Sequence, residues 1–368
     1  MILKKFSAQN FRNIEKCSIE FAPGVNLLLG KNAQGKTNSV EGINMFSQGR
    51  SFRGSDDKDL VRFGQEGFNL FIEYEDKSGV NTLEYSLYGK ERRRKKNSYK
   101  IERVSEMIGS FRSVIFYPDN LSIVKDGPEK RRDFINNAIA QCYPEYIKYY
   151  SNYKNALENR NCILKLASKG MYVEEREIYS WSESMAEYAS YINLYRKEYI
   201  DRLKKYASSV MKDISSGKED LSLEYDSDIK EDLCERERIR DEYYRILTSS
   251  VDKERAMGVG LFGPHRDDID IRVNGIGARS FASQGQKRSC VLALKLAEGE
   301  VSRELFGEYP VFLFDDVLSE LDEGRKKYIF DGFKDRQIII TSCEEDSLNI
   351  RADRIMRVEG GSYVPSHR

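Results

Sequence analysis

Two short stretches of the sequence carry residues whose types and spacing suit phosphate chemistry. The first is GKNAQGKT, Gly30 to Thr37, which fits the pattern G-x-x-x-x-G-K-[ST]. Glycines let backbone N–H groups turn inward around phosphate oxygens, and a following helix adds its positive N-terminus. Gly30, Lys31, Asn32, Ala33, Gln34, Gly35, Lys36 and Thr37 are therefore candidate nucleotide contacts. Lys36 supplies a cation for the β and γ phosphates, and the Thr37 hydroxyl suits magnesium. The second stretch is VFLFDD, Val311 to Asp316, an apolar run that ends in paired carboxylates. A run of this kind reads as a strand buried on both faces, and such a strand should end in loop residues rather than negative charge. In phosphate-loop proteins a second buried strand ends in an aspartate that holds magnesium, which assigns Asp315 to the metal with Thr37. Asp316 then stands where a carboxylate orients or deprotonates a water attacking the γ-phosphate, the alternative being a solvated loop acid.

Weaker signals surround these two. SFASQGQKRSCVLALKLAEGE opens on small and polar residues and continues as a helix, so Ser283, Gly285 and Gln286 would turn a hydroxyl and N–H groups toward an anion. An ordinary helix cap explains the same residues. KERRRKKNSYK, Lys90 to Lys100, is the densest basic run, and Arg92, Arg93, Arg94, Lys95 and Lys96 are candidate DNA contacts or a solvated hairpin tip. Lys130, Arg131 and Arg132 form a second basic cluster. In GPHRDD, His265 invites a catalytic role or a packed one, and Asp267 and Asp268 are expected to pair with Arg266. The tyrosines of YPEYIKYYSNYKN suit either base stacking or packing between helices.

These residues need a frame to hold them. VNLLLG reads as a buried strand feeding the glycine loop and a helix. From Phe68 to Ile101 the pattern alternates, as in FNLFIEYE, which predicts half-exposed antiparallel strands. Pro128 to about Ser208 is poor in glycine and proline, which predicts long helices. Short apolar strands return after Leu261 in VFLF and QIIIT. The two ends of the chain are thus α/β and the middle helical, which predicts a nucleotide-binding head assembled from residues 1–127 and 251–368, with an antiparallel β insert at about 66–110 and a helical second lobe at 128–250.

Composition excludes several classes. The 368 residues include 60 basic and 60 acidic ones, so any nucleic-acid affinity must come from local patches. Six cysteines without a C-x-x-C pair argue for free thiols in a reducing compartment and against a zinc site. No stretch approaches the length needed to cross a bilayer, and MILKKFSAQN lacks the apolar segment of a signal peptide. The expectation is a cytoplasmic protein with no membrane partner.

NFRN (Asn10 to Asn13), GKNAQGKTN, GRSFRGSDDKDLVRFG, PDNLSIVKDGPEKRRDFI, GPHRDD, SQGQKR and FLFDDVLSELDEGR follow one another in an order that resembles the RecF family, relatives of the SMC and Rad50 heads. The resemblance implies an α/β ABC-type P-loop ATPase head with ATP and Mg2+ as cofactors. It implies that two heads sandwich two ATP molecules, so that Ser283, Gly285 and Gln286 act in trans, with Ser283 joining Lys36 and Asp316 in catalysis. SELD, Ser319 to Asp322, would face the partner subunit, and Arg12 would lie beside the nucleotide. The implied activity is weak, DNA-stimulated ATP hydrolysis that closes a homodimer on double-stranded DNA or single/double-strand junctions. RecR and RecO are the implied partners, and loading of RecA at gaps the implied outcome. The signature lacks the second glycine of transporters, and Thr341 or Ser342 stands where many ABC proteins place a histidine. A P-loop kinase or transferase acting on a small molecule is the competing class, and it would leave the signature and SELD unexplained.

Overall fold

The computed structural model describes residues 1–230, 233–318, 321–331, 335–343 and 351–365. Two compact units divide the chain. Met1–Ser122, Tyr206–Asp220 and Ser283–Arg368 form the first, and Ile123–Lys205 with Leu221–Ala282 form the second.

The first unit holds two sheets. Strands β1 (Ile2–Phe11), β2 (Ile14–Glu20), β4 (Gly67–Asp76), β5 (Gly79–Tyr88), β6 (Glu91–Lys96) and β7 (Tyr99–Ile101) pair antiparallel in the order β2-β1-β4-β5-β6-β7. Alternation along β4 and β5 turns Phe68, Leu70, Ile72, Tyr74, Leu83, Tyr85 and Leu87 to one buried face. That face joins Val40, Ile43 and Phe46 of helix α1 (Lys36–Gln48) in one apolar cluster. The strands of the β insert expected near 66–110 share a sheet with the N-terminal strands, because β4 pairs with β1.

The second sheet positions the chemistry. It comprises β3 (Val25–Leu29), β8 (Ser113–Phe116), β12 (Val311–Asp315), β13 (Ile338–Ser342), β14 (Arg354–Glu359) and β15 (Ser362–Pro365), in the order β15-β14-β3-β13-β12-β8. All but β15 run parallel to their neighbours. β12 and β13 are buried at every position, as a strand covered on both faces must be. Their carboxyl ends, with that of β3, gather the glycine loop and the paired aspartates at one edge, where parallel sheets place ligands. Helices α9 (Gln284–Phe306) and α10 (Glu323–Asp331) also belong to this unit.

The second unit is largely helical. Its elements are α2 (Ser122–Lys125), α3 (Pro128–Cys142), α4 (Tyr146–Ser168), α5 (Glu175–Ile214), α6 (Arg236–Ser249), α7 (Val251–Met257) and α8 (Ala278–Phe281), with a small sheet of β9 (Leu221–Asp226), β10 (Asp268–Val273) and β11 (Ile276–Gly277). Residues 251–282, expected with the head, lie in this unit because β10 pairs with β9 over its whole length, from Asp268↔Asp226 to Val273↔Leu221. β9 itself falls in a span expected to be helical, since the alternation of LSLEYD is too short to stand out beside long helices. The tyrosines pack between helices. Tyr149 stacks on Tyr191 at 4.0 Å and 5°, and Tyr195 and Tyr143 donate to Glu145 and Glu198.

Candidate nucleotide-binding site

The loop between β3 and α1 owes its shape to backbone conformation. Ala33 and Gly35 have φ of 65° and 111°, the left-handed region that bends the chain and turns N–H groups inward. Gly30 has no room for a side chain, because a Cβ there would lie 2.3 Å from the Val358 carbonyl oxygen. The result is a cavity of about 180 Å³ lined by residues 32–38 with Arg53, Asp316 and Thr341. Lys36 is buried and folds back on the loop, donating to the Gly30 carbonyl and, at 2.8 Å, to that of Lys31. Its ammonium also sits 3.7 Å from Cys343 Sγ, which in turn donates to Asn32 Oδ1 at 2.8 Å.

Asp315 meets this loop from the next strand but one. It is 4% exposed, and its Oδ1 accepts the Thr37 hydroxyl at 2.9 Å and the Thr341 hydroxyl at 2.8 Å. Thr341 belongs to β13, which lies between β3 and β12, so the middle strand hydrogen-bonds the carboxylate that the first strand's helix also reaches. Burial pushes the Asp315 carboxyl above its ordinary pKa; the two hydroxyls oppose the rise and Asp316 adds to it. A buried carboxylate that is costly to ionise, paired with a hydroxyl at a helix start, fits a hard divalent cation. Thr37 and Asp315 supply two oxygens, which suits magnesium, an ion that takes its other ligands from phosphate and water.

Asp316 is exposed and lines the cavity. Its φ of 54° is the left-handed region that aspartate tolerates, and its N–H donates to Thr341 Oγ1 at 3.1 Å. Arg53 lines the same cavity, donates to Asn38 Oδ1 at 3.2 Å and lies 3.7 Å from Glu41. Sequence reasoning passed over Arg53, although it stands inside the quoted stretch GRSFRGSDDKDLVRFG. Arg12, expected beside the nucleotide, is held through its guanidinium against α1 and the segment at 55–59. It makes two contacts with the buried Glu41 carboxylate, at 3.0 and 2.7 Å, and donates to Ser55 Oγ at 2.6 Å and the Asp59 carbonyl at 3.1 Å.

Ser283 is the N-cap of α9. Its Oγ accepts the Gln286 N–H at 3.2 Å, while Gln286 Oε1 accepts the Ser283 N–H at 2.9 Å, a reciprocal capping box. The Gly285 carbonyl and the Ser289 hydroxyl are held by Arg325, at 3.3 and 2.6 Å, and Arg325 is itself paired with Asp322. Among the residues of SELD, Ser319 and Glu320 lie outside the described residues.

The basic run forms β6, and strand alternation splits it. Arg92 pairs with Asp57 at 2.5 Å, Arg94 lies 5.1 Å over the Tyr85 ring and Lys96 donates to Ser110. Arg93 pairs with Glu91 at 2.9 Å and Lys95 with Glu84 at 3.1 Å. All five cations therefore have partners within their own chain. His265 is packed: it hydrogen-bonds the Tyr153 hydroxyl through Nδ1 at 2.6 Å and the Gly260 carbonyl through Nε2 at 3.2 Å, and burial pushes its pKa down to about 4. Asp267 and Asp268 do not pair with Arg266 as expected. Arg196 takes Asp267 at 2.8 Å and Arg131 takes Asp268 at 2.6 Å, while Arg266 donates to the Gly260 carbonyl.

Comparison with known proteins places this geometry among relatives. The family model described as RecF/RecN/SMC N terminal domain matches residues 2–362. The DNA replication and repair protein RecF of Clostridioides difficile (strain 630) is 35% identical over 378 residues, covering 99% of this chain and 98% of its own. That of Clostridium novyi (strain NT) is 39% identical over 345 residues, covering 93% and 92%. A solved structure of the recombination mediator protein RecF-ATPrS in the RecFOR pathway superposes with a TM-score of 0.93 at 34% identity, covering 99% of this chain and 98% of that one. The corresponding RecF-ATP structure gives 0.91 at 35%, covering 100% and 98%. An Smc head domain from Pyrococcus furiosus, at 18% identity, 99% and 96% coverage and a TM-score of 0.56, shares the fold alone. The α/β ATPase-head fold expected from sequence is the fold observed.

Proposed function

This chain belongs to the RecF family of DNA replication and repair proteins, and on that premise we propose that it binds and hydrolyses ATP to close a homodimer on DNA. One contact carries the reading: the Thr37 hydroxyl and the buried Asp315 carboxylate meet at 2.9 Å beside a glycine loop whose cavity also holds Asp316 and Arg53. Relatives solved as RecF-ATP and RecF-ATPrS support ATP as the ligand.

The residues divide the work as follows. Amides of Asn32 to Thr37 bind phosphate oxygens at the start of α1. Lys36 exchanges the carbonyls of Gly30 and Lys31 for the β and γ phosphates, a swap of neutral acceptors for charged ones that favours the bound state. Thr37 and Asp315 would hold magnesium, which when bound neutralises charge between phosphate oxygens. Asp316 orients the attacking water and accepts its proton, and Arg53, which lines the same cavity, offsets charge on the transferred group. Ser283, Gly285 and Gln286 complete the site only when a second copy presents them, so ATP and dimerisation are thermodynamically coupled. RecR and RecO are proposed as partners in the RecFOR pathway, with RecA loading at gaps as the outcome, on duplex DNA and single/double-strand junctions.

Sizing the protein with ADP and with ATP tests the reading. Wild type should become dimeric with ATP alone, Lys36→Met should bind no ATP, and Ser283→Arg should bind ATP as a monomer. A wild-type monomer in both states at high concentration would sink the dimer. Phosphate transfer to any acceptor other than water would favour a kinase instead.

A further inference from the structure

A phosphate loop presents N–H groups to its ligand only if its carbonyls are held facing away. Behind this loop, three successive carbonyls are each held by a distant residue. Ala33 O accepts Asn13 Nδ2 at 3.0 Å, Gln34 O accepts the Gly361 N–H at 2.9 Å, and Gly35 O accepts the Tyr363 hydroxyl at 3.0 Å. The Gln34 side chain is drawn the same way, its Oε1 accepting the Gly360 N–H at 2.6 Å. Three of these four bonds come from a single element, the β14–β15 hairpin. β14 runs parallel to β3 from Arg354↔Asn26 to Arg357↔Leu29, so its turn arrives directly behind the loop. Gly361 is suited to that turn, with φ of 81° and a would-be Cβ only 3.1 Å from the Asn13 carbonyl oxygen. Tyr363 also hydrogen-bonds Ser39 on α1, so one hydroxyl spans the loop and the first turn of the helix. Burial raises its pKa well above the ordinary tyrosine value, which keeps the hydroxyl protonated as a donor.

We propose that the β14–β15 hairpin is the positioning element of the phosphate loop, with Tyr363 its principal residue. The hairpin touches no phosphate. It acts by fixing which way the peptide planes of residues 33–35 point, and so sets the affinity of the loop for the phosphates shared by ADP and ATP. This rests on the nucleotide-binding reading above.

The test uses full-length Tyr363→Phe and Gly361→Ala, titrated with ADP and with ATP in magnesium, alongside turnover at saturating ATP and the denaturant midpoint without nucleotide. The expected result is a rise in Kd for both nucleotides by the same factor, about five- to tenfold for the loss of one hydrogen bond, with the loss falling on Kd rather than on turnover at saturation. A lowered denaturant midpoint with unchanged Kd in both variants would mean the hairpin merely packs, and overturns the proposal. A loss confined to ATP overturns it too, since the loop amides serve phosphates present in both ligands. If Tyr363→Phe does not fold, Gly361→Ala decides alone. Wild type that binds neither nucleotide would instead remove the reading on which the proposal stands.

Discussion

Replacing Arg12 with alanine would strand a carboxylate. Glu41 is 0% exposed on α1, and Arg12 gives it two charge-assisted hydrogen bonds, at 3.0 and 2.7 Å. Removing one partner of a buried pair costs roughly 3–5 kcal/mol, because the other charge stays buried without compensation. Here the lower end applies, about 3 kcal/mol, since Glu41 keeps the Ser51 hydroxyl and has Arg53 at 3.7 Å. In a folding unit of this size that loss lowers Tm by about 6–12 °C. The assay is thermal or denaturant unfolding without nucleotide, for Arg12→Ala, Glu41→Gln and the double variant. Glu41→Gln removes the charge that Arg12 leaves behind, so the double variant should be more stable than the sum of the single losses, with a coupling of about 1–3 kcal/mol. ATP affinity measured at a temperature where all three are folded should change far less than stability. The reasoning fails if Arg12→Ala unfolds like wild type and loses ATP binding instead, because Arg12 would then face the nucleotide rather than Glu41.

The remaining predictions concern the two carboxylates, the buried histidine and the basic strand. Asp315→Asn should weaken magnesium-dependent ATP binding, read by titration with and without the metal, whereas Asp316→Asn should keep binding and closure and slow single-turnover hydrolysis by about 10²–10⁴-fold; equal loss of binding in both would contradict the division. His265 has its pKa lowered by burial from 6.5 to about 4, so the unfolded chain takes up the proton first and His265 favours the fold fully above pH 6.5, an advantage lost as pH falls toward 4. Wild type should therefore lose about 2 kcal/mol more than His265→Gln between pH 7.5 and 5, measured by urea unfolding; parallel pH profiles would refute it. If Arg93 and Lys95 trade Glu91 and Glu84 for DNA phosphates, the double alanine variant should bind duplex with a log K versus log salt slope smaller by about 1.8. An unchanged slope would place the DNA surface elsewhere.

Much of the chemistry was legible because it is local. Gly30 to Thr37 carries its loop geometry in its own spacing, and the apolar run before Asp315 announces a buried strand without help from any other segment. Side chains that converge from other strands carried no such signal. Thr341 reaches Asp315 only because β13 lies between β3 and β12, an order that no run of residues encodes. The basic run misleads for a related reason: five cations in a row read as a patch, but alternation along β6 divides them, and Asp57 and Glu84, which neutralise two of them, come from elsewhere in the chain. GPHRDD, adjacent in sequence, disperses its charges to Arg131 and Arg196 on helices far upstream.

The position of β3 in its sheet bears on how the protein is made. Both neighbours of this strand, β13 and β14, are synthesised more than 300 residues after it, as the pairings Val25↔Ile338 and Asn26↔Arg354 require. Until β13 and β14 have been made, Val25–Leu29 has bare edges on both sides, four of its five residues being destined for burial. Contacts of such sequence separation form slowly, and an unpaired apolar strand is an aggregation hazard while it waits. Nascent chains stalled before residue 338 should accordingly need a chaperone to stay soluble, and should acquire the ability to retain nucleotide only once β13 and β14 have emerged.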